Sequence, residues 1–109
     1  YVITLQCSTL TSGTSTISAI GATNTAIATG TEQFGVRYEA SGGDGAVSAP
    51  YAASGFAYAA TASTTSQIAS STGPSLTTTY NATYIANISP TTESGTYTTA
   101  LTYVATATY

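Results

Sequence analysis

Hydrophobic and polar side chains alternate one by one along much of this chain. The alternation is clearest in "FGVRYEA" at 34–40, where Phe34, Val36 and Tyr38 fall on one face and charged side chains fall on the other. A period of two is typical of a half-buried β-strand. The residues that dominate these stretches, Thr, Val, Ile and Tyr, also favour pleated sheets. The pattern therefore predicts an all-β protein without a helix of useful length.

Two long strands are predicted near the end of the sequence. The segments are "LTTTYNATYIANIS" at 76–89 and "TYTTALTYVATATY" at 96–109, with a turn-like "PTTESG" before the second. The alternation places one set of side chains of the last strand on a common face, which we expect to be buried in the core. These side chains are Tyr97, Leu101, Tyr103 and Ala105.

Shorter strands separated by turn signals fill the rest of the sequence. The glycine-rich "SGGDG" at 41–45 predicts a tight turn, whereas the polar stretch 63–75 predicts a loop with a single helical turn. Strands of this number predict a single antiparallel β-sandwich over 1–109, Ig-like or jelly-roll-like, with about seven to nine strands. The remaining strand predictions are 1–7, 14–20, 23–29, 34–40, 46–52 and 55–63.

Charged side chains are unusually scarce. The 109 residues include one Arg, four acidic residues and no Lys or His, whereas Ser and Thr make up more than a third of the chain. Such a surface repels other proteins weakly, which suits a molecule that assembles or carries glycan. A basic surface for nucleic acid is not expected, and no apolar run reaches the length of a membrane span.

The sequence opens directly on a strand, "YVITL". This opening is compatible with a secreted chain whose signal peptide has been removed, and equally with a longer chain that has a segment before Tyr1. We therefore expect an extracellular or cell-surface location.

The composition offers little for catalysis or metal binding. A nucleophile would have neither His nor Lys as its base, and a metal site built on His or Cys is excluded. We expect the carboxylates to be solvated and Asp44 to lie in a plain glycine turn. Neither an enzyme nor a cofactor is predicted. Cys7 is expected to be a small buried hydrophobe, with an intermolecular disulfide or a lipidated thiol as the alternatives.

Two tripeptides match the acceptor pattern for N-glycosylation. "NAT" begins at Asn81, and "NIS" begins at Asn87, although Pro90 follows the second tripeptide. Covalent glycans at these two positions are therefore candidate partners of the chain.

The tail "ESGTYTTALTYVATATY" at 93–109 resembles the closing strand of secreted bacterial surface and pilus β-sandwiches. Spore-coat-U-like domains and archaic chaperone–usher pilins end in this way, and the low charge is similar to that of TasA-like filament subunits. The resemblance implies a structural protein whose subunits exchange strands, with no catalytic residues. The disulfide expected of such pilins has no counterpart, because Cys7 is alone.

An exposed strand edge can pair with another chain, and many proteins prevent this by placing Lys on the edge. This sequence has no Lys, which also rules out Lys–Asn isopeptide linkage. We therefore expect a structural subunit of an extracellular filament, pilus or surface layer, a homopolymer that assembles by non-covalent strand addition. The alternatives are a non-polymeric domain of a surface adhesin and a tyrosine-based carbohydrate-binding module. The residues expected to pair with a neighbouring subunit are Tyr1, Val2, Ile3, Thr4 and Leu5.

Overall fold

The computed structural model describes residues 1–52, 54–60 and 63–108. Within these ranges the chain forms ten strands and no helix, so no described segment could cross a membrane as a helix. The strands are β1 (Val2–Cys7), β2 (Leu10–Ser12), β3 (Ser15–Ile17), β4 (Gly21–Thr25), β5 (Gln33–Gly42), β6 (Ala46–Val47), β7 (Phe56–Tyr58), β8 (Thr65–Ser70), β9 (Thr78–Asn87) and β10 (Leu101–Thr106).

Eight of these strands form two four-stranded antiparallel sheets. The first sheet has the order β10-β1-β8-β6, and the second has the order β4-β7-β5-β9. The hairpin β2–β3 stands beside them. The core lies between the sheets, and its largest fully buried side chains are Tyr51, Tyr58, Leu5 and Val36. This architecture confirms the predicted all-β antiparallel sandwich.

The longest ladder joins β5 to β9 through ten residue pairs, from Gln33–Asn87 to Gly42–Thr78. The alternation seen in the sequence explains this pairing, because it places one face of β5 in the core. Phe34, Val36 and Tyr38 are indeed buried there. The polar face of the same strand is directed away from the core.

Strand β1 lies inside its sheet, with β10 on one side and β8 on the other. Its register runs from Val2 opposite Thr106 to Cys7 opposite Leu101 on the β10 side. Both edges of β1 are therefore used within the chain. For Tyr1–Leu5 to pair with a neighbouring subunit, as the sequence predicts, β1 would therefore have to leave its own sheet.

Strand β8 occupies part of the stretch 63–75 that the sequence predicts to be a loop, so that prediction is wrong. The strand carries a single large apolar side chain, Ile68, which is buried together with Ala69. One apolar residue among Thr, Ser and Gln gives almost no periodic signal. Pairing with β1 and β6 on either side makes this polar sequence a strand.

The final strand is shorter than the predicted 96–109 and begins at Leu101. The residues before it cross from one sheet to the other and contact the β2–β3 hairpin. Thr98 exchanges two backbone hydrogen bonds with Thr11, of 2.9 and 3.0 Å. The alternation continues through the residues before Leu101, but their contacts with the β2–β3 hairpin make this segment a connection between the sheets and not part of the strand. Of this hairpin, β3 lies within the predicted strand 14–20, whereas β2 was not predicted, and Gly13 in the turn between them has a positive φ of 60°.

Candidate functional site

The last strands of the two sheets, β9 and β10, lie side by side without pairing. Within the described ranges β9 has β5 as its neighbour, and β10 has β1. Their side chains nevertheless meet, since the hydroxyl oxygens of Tyr84 on β9 and Tyr103 on β10 are 2.5 Å apart. We call this opening between β9 and β10 the seam.

Behind the seam lies a cleft of about 290 Å³ between the two sheets. Its walls come from β1, β5, β8, β9 and β10, and they are mostly apolar. The hydroxyl groups of several tyrosines are the main polar atoms available to it. The residues that line the cleft are Ile3, Tyr38, Ile68, Tyr80, Ala82, Tyr84 and Tyr103.

Side chains that point toward the core remain exposed at the seam. Tyr84 is paired with Val36, and Tyr103 is paired with Leu5. Directly opposed residues of an antiparallel pair share a face of the sheet, so both tyrosines lie on the core side. Val36 and Leu5 are at most 1% exposed, whereas Tyr84 and Tyr103 are 43% and 44% exposed. The sandwich therefore leaves its core uncovered along this one side.

Tyrosine hydroxyls bridge the two sheets across the seam. The hydroxyl oxygen of Tyr103, on the first sheet, lies 2.9 Å from that of Tyr38 on the second sheet, in addition to its contact with the hydroxyl of Tyr84. Tyr1, just before β1, makes a similar contact of 2.9 Å with Tyr80 on β9. These bridges are hydrogen bonds between neutral phenols, so they depend little on salt.

The surroundings of these phenols change their acidity. Burial is the main cause that raises the pKa of Tyr38 and Tyr84 above the usual value, and it raises the pKa of Tyr80 to about 12. Hydrogen bonding with Tyr80 is the main cause that lowers the pKa of Tyr1. A phenol with a pKa of about 10 or above is protonated at neutral pH, so these three tyrosines bring no charge to the seam.

The predicted core face of the last strand is only partly buried. Leu101 and Tyr97 pack against the core, and the Tyr97 hydroxyl donates to the carbonyl oxygen of Glu93. Tyr103 and Ala105 are exposed, because β10 is an edge strand and, in the described part of the chain, its inner face is only partly covered toward the seam. Cys7 is buried in the core as predicted.

The two candidate glycosylation positions differ in exposure. Asn81 is exposed and is paired with Glu39, so its side chain lies on the outer face of the second sheet. Asn87 is half-buried, and its side-chain amide donates to Oε1 of Gln33 over 3.3 Å. A glycan on Asn81 would therefore project into solvent, whereas one on Asn87 would attach to the half-buried nitrogen that makes this hydrogen bond.

Four of the five charged side chains lie away from the seam, whereas Asp44 is close enough to Tyr1 to act on its pKa. Arg37 and Glu39 form an ion pair of 3.8 Å on the outer face, and the guanidinium of Arg37 also stacks on Phe56 at 5.2 Å. Glu93 accepts a hydrogen bond from Ser15, and Glu32 accepts one from Thr92. Across the described ranges, no three or more His, Cys, Asp or Glu residues come together in a way that could hold a metal ion.

The seam was not predicted from the sequence, although one signal for it exists. Tyr80, Ala82 and Tyr84 alternate without error, which indicates a buried face but not that its strand ends a sheet. Comparisons of this chain with protein-family models, with curated proteins and with solved structures find no match. The arguments for function therefore rest on the seam itself.

Proposed function

We propose that this chain is a structural subunit of an extracellular filament or surface layer, and that its subunits join non-covalently by strand addition at the seam. One observation carries the proposal: among the described residues, β9 and β10 each have a strand edge without a ladder partner, and these two edges flank an apolar cleft that reaches the core. An added strand would hydrogen-bond to a free edge and place alternate side chains in the cleft.

The occupant we propose is a strand from a second copy of this chain. A strand of this composition alternates between Thr and apolar residues, so its apolar side chains could enter the mostly apolar cleft while its Thr side chains face solvent. Two copies also repel each other little, since each has a net charge of −3 and only five charged side chains.

The donor in this proposal is the N-terminal part of the neighbouring copy. Both edges of β1 are used in the folded chain, so Tyr1–Leu5 could donate only after it leaves its own sheet. A segment ahead of Tyr1 in a longer chain would not need this exchange. Tyr1 lies at one end of the seam, where its hydroxyl contacts Tyr80 and its amino group donates to Oγ1 of Thr108.

A matched pair of lysine substitutions on β9 tests whether the cleft is filled during assembly. Ala82 lines the cleft and is exposed, so Ala82→Lys places a charge there without displacing a buried side chain. Thr79→Lys places the same charge on the exposed outer face of the same strand. Both substitutions leave the "N-x-T" tripeptide at Asn81 in place.

The expected result is loss of assembly in one variant alone. Purified Ala82→Lys should stay monomeric in sedimentation and show no filaments in electron micrographs, while Thr79→Lys assembles like the unmodified chain. Circular dichroism and thermal unfolding should show that both variants keep the fold. If Ala82→Lys assembles normally, or if the unmodified chain is monomeric under all conditions, strand addition at the seam is the wrong function.

A further inference from the structure

We infer that Tyr84 and Tyr103 form a site for oxidative cross-linking, in which a carbon–carbon bond between the two rings ties β9 to β10. Their hydroxyl oxygens are 2.5 Å apart, although the residues lie on different sheets and 19 positions apart in the sequence. The inference concerns a bond within one chain and does not depend on assembly.

The two rings are accessible to an oxidant from solution. Tyr84 and Tyr103 are 43% and 44% exposed, whereas Tyr38, Tyr51 and Tyr58 are at most 4% exposed. An oxidising enzyme or a small oxidant can therefore reach both members of the pair from the open side of the seam. The carbon at which tyrosyl radicals couple is the ring carbon next to the one that bears the hydroxyl, so hydroxyl contact brings the coupling positions close together.

The composition removes most competing targets. Oxidants attack Cys and Met readily, and Trp and His are also susceptible. This chain contains no Met, Trp or His, and its one cysteine is buried. Exposed tyrosine is therefore the main oxidisable side chain at the surface. Since Lys is absent and an intrachain disulfide is impossible, tyrosine coupling is also the cross-link that this composition best allows.

The reaction balances with hydrogen peroxide as the oxidant and a haem peroxidase as the catalyst. Each phenol loses one electron and one proton and becomes a phenoxyl radical. The two radicals join through the carbons beside the hydroxyl-bearing carbons, and the hydrogen atoms on those carbons move to the oxygens, which restores both phenols. The peroxide takes up the two electrons and two protons and becomes two water molecules.

Cleavage after glutamate gives a direct readout of which tyrosines are joined. Glu93 lies between Tyr84 and Tyr103, so a glutamate-specific protease releases them on separate fragments, 40–93 and 94–109. After treatment of the dilute monomer with peroxidase and peroxide, we expect these fragments to stay joined, with a combined mass lower by two hydrogen atoms. Dityrosine fluorescence should appear at the same rate.

Phenylalanine variants locate the bond. Tyr84→Phe and Tyr103→Phe should each abolish the joined fragment. Tyr80→Phe and Tyr97→Phe, which remove a tyrosine from the same two fragments, should leave it unchanged. Circular dichroism of every variant checks that the fold is kept. Separate fragments after oxidation, a joined fragment that persists in Tyr84→Phe, or a bond that instead joins 1–32 to 40–93 through Tyr1 would each overturn the assignment.

Discussion

The hydroxyl of Tyr58 donates a hydrogen bond of 2.7 Å to the carbonyl oxygen of Ser8, fifty positions earlier in the chain. Tyr58 belongs to β7 in the second sheet, and Ser8 follows β1 of the first sheet. The ring of Tyr58 is fully buried and packs edge-on against Phe34, with 4.7 Å between ring centroids. The hydroxyl group of this side chain therefore joins the two layers, while its ring packs against a neighbour within the second sheet.

Tyr58→Phe should lower the free energy of unfolding by about 1 kcal/mol, because it removes one buried hydrogen bond and keeps the ring. The loss is moderate since Oγ1 of Thr99 still donates to the Ser8 carbonyl over 2.6 Å. Denaturant unfolding measures the change. Tyr97→Phe is the control, because its hydroxyl bond is exposed, and its effect should be clearly smaller. Equal effects of the two variants would contradict this role for Tyr58.

Two leucines on neighbouring strands should respond differently to truncation. Leu5 is 1% exposed at the centre of the first sheet, so Leu5→Ala should cost about 2–5 kcal/mol. Leu101 is half-buried on the edge strand β10, and Leu101→Ala should cost about 1–2 kcal/mol because less of its surface leaves water on folding. Equal losses in denaturant unfolding would mean that β10 is covered more fully than the structure indicates.

A glycine in the turn between β5 and β6 is required by close packing. A Cβ atom at Gly43 would collide with the backbone oxygen of Leu76, and backbone cannot move aside as a side chain can. Gly43→Ala should therefore lower the unfolding free energy by about 1–3 kcal/mol. A Cβ atom at Gly73 would meet nothing nearby, and Gly73 has no positive φ. Gly73→Ala should therefore change the unfolding free energy by less than about 0.5 kcal/mol. A tolerated Gly43→Ala would disprove this contact.

Stability should fall in alkaline solution. Burial raises the pKa of Tyr38 and Tyr51 above the usual 10.0 and raises that of Tyr58 to about 12. Below pH 10 both states hold these protons. Above it the unfolded chain releases them while the folded chain retains them, so rising pH favours unfolding. Denaturant unfolding from about pH 8 to 12 measures the fall, and Tyr58→Phe should make it shallower. An unchanged free energy across this range would contradict the prediction.

The sequence predicts those elements whose own side chains alternate strongly. β5 and β9 were predicted because apolar residues alternate without a break in both. Phe34, Val36 and Tyr38 of β5 lie beside Tyr84 and its neighbours of β9 in the same sheet. β8 was missed because Ile68 is its one large apolar residue, and its strand form depends on partners far away in the chain. The alternation in a sequence indicates which residues share a face of a strand. It does not indicate which other strand packs against that face.

The seam illustrates the same limit. Its existence depends on the order of strands, which places β9 and β10 at the ends of two different sheets. Tyr103 was predicted to be buried because it shares a face with Leu101, and the alternation there is correct. Its exposure follows from the position of β10 at an edge, which a single sequence does not encode locally.

Removal of β1 should unfold the chain, and a peptide should restore it. Without residues 1–7, both β8 and β10 lose a ladder partner, and Leu5 no longer fills the core. We expect the chain 8–109 to lack a cooperative unfolding transition. A synthetic peptide of residues 1–7 should restore that transition, because strand addition regains the ladders on both sides and the buried leucine together.

A proline peptide provides the control for this complementation. Thr4→Pro removes a backbone N–H in the middle of β1, where proline is not tolerated in a strand with neighbours on both sides. This peptide should fail to restore cooperative unfolding in calorimetry or denaturant titration. The prediction is contradicted if the chain 8–109 unfolds cooperatively by itself, or if both peptides restore the cooperative transition equally. In either case β1 does not hold the first sheet together, and a strand exchanged between copies could not act through the same ladders.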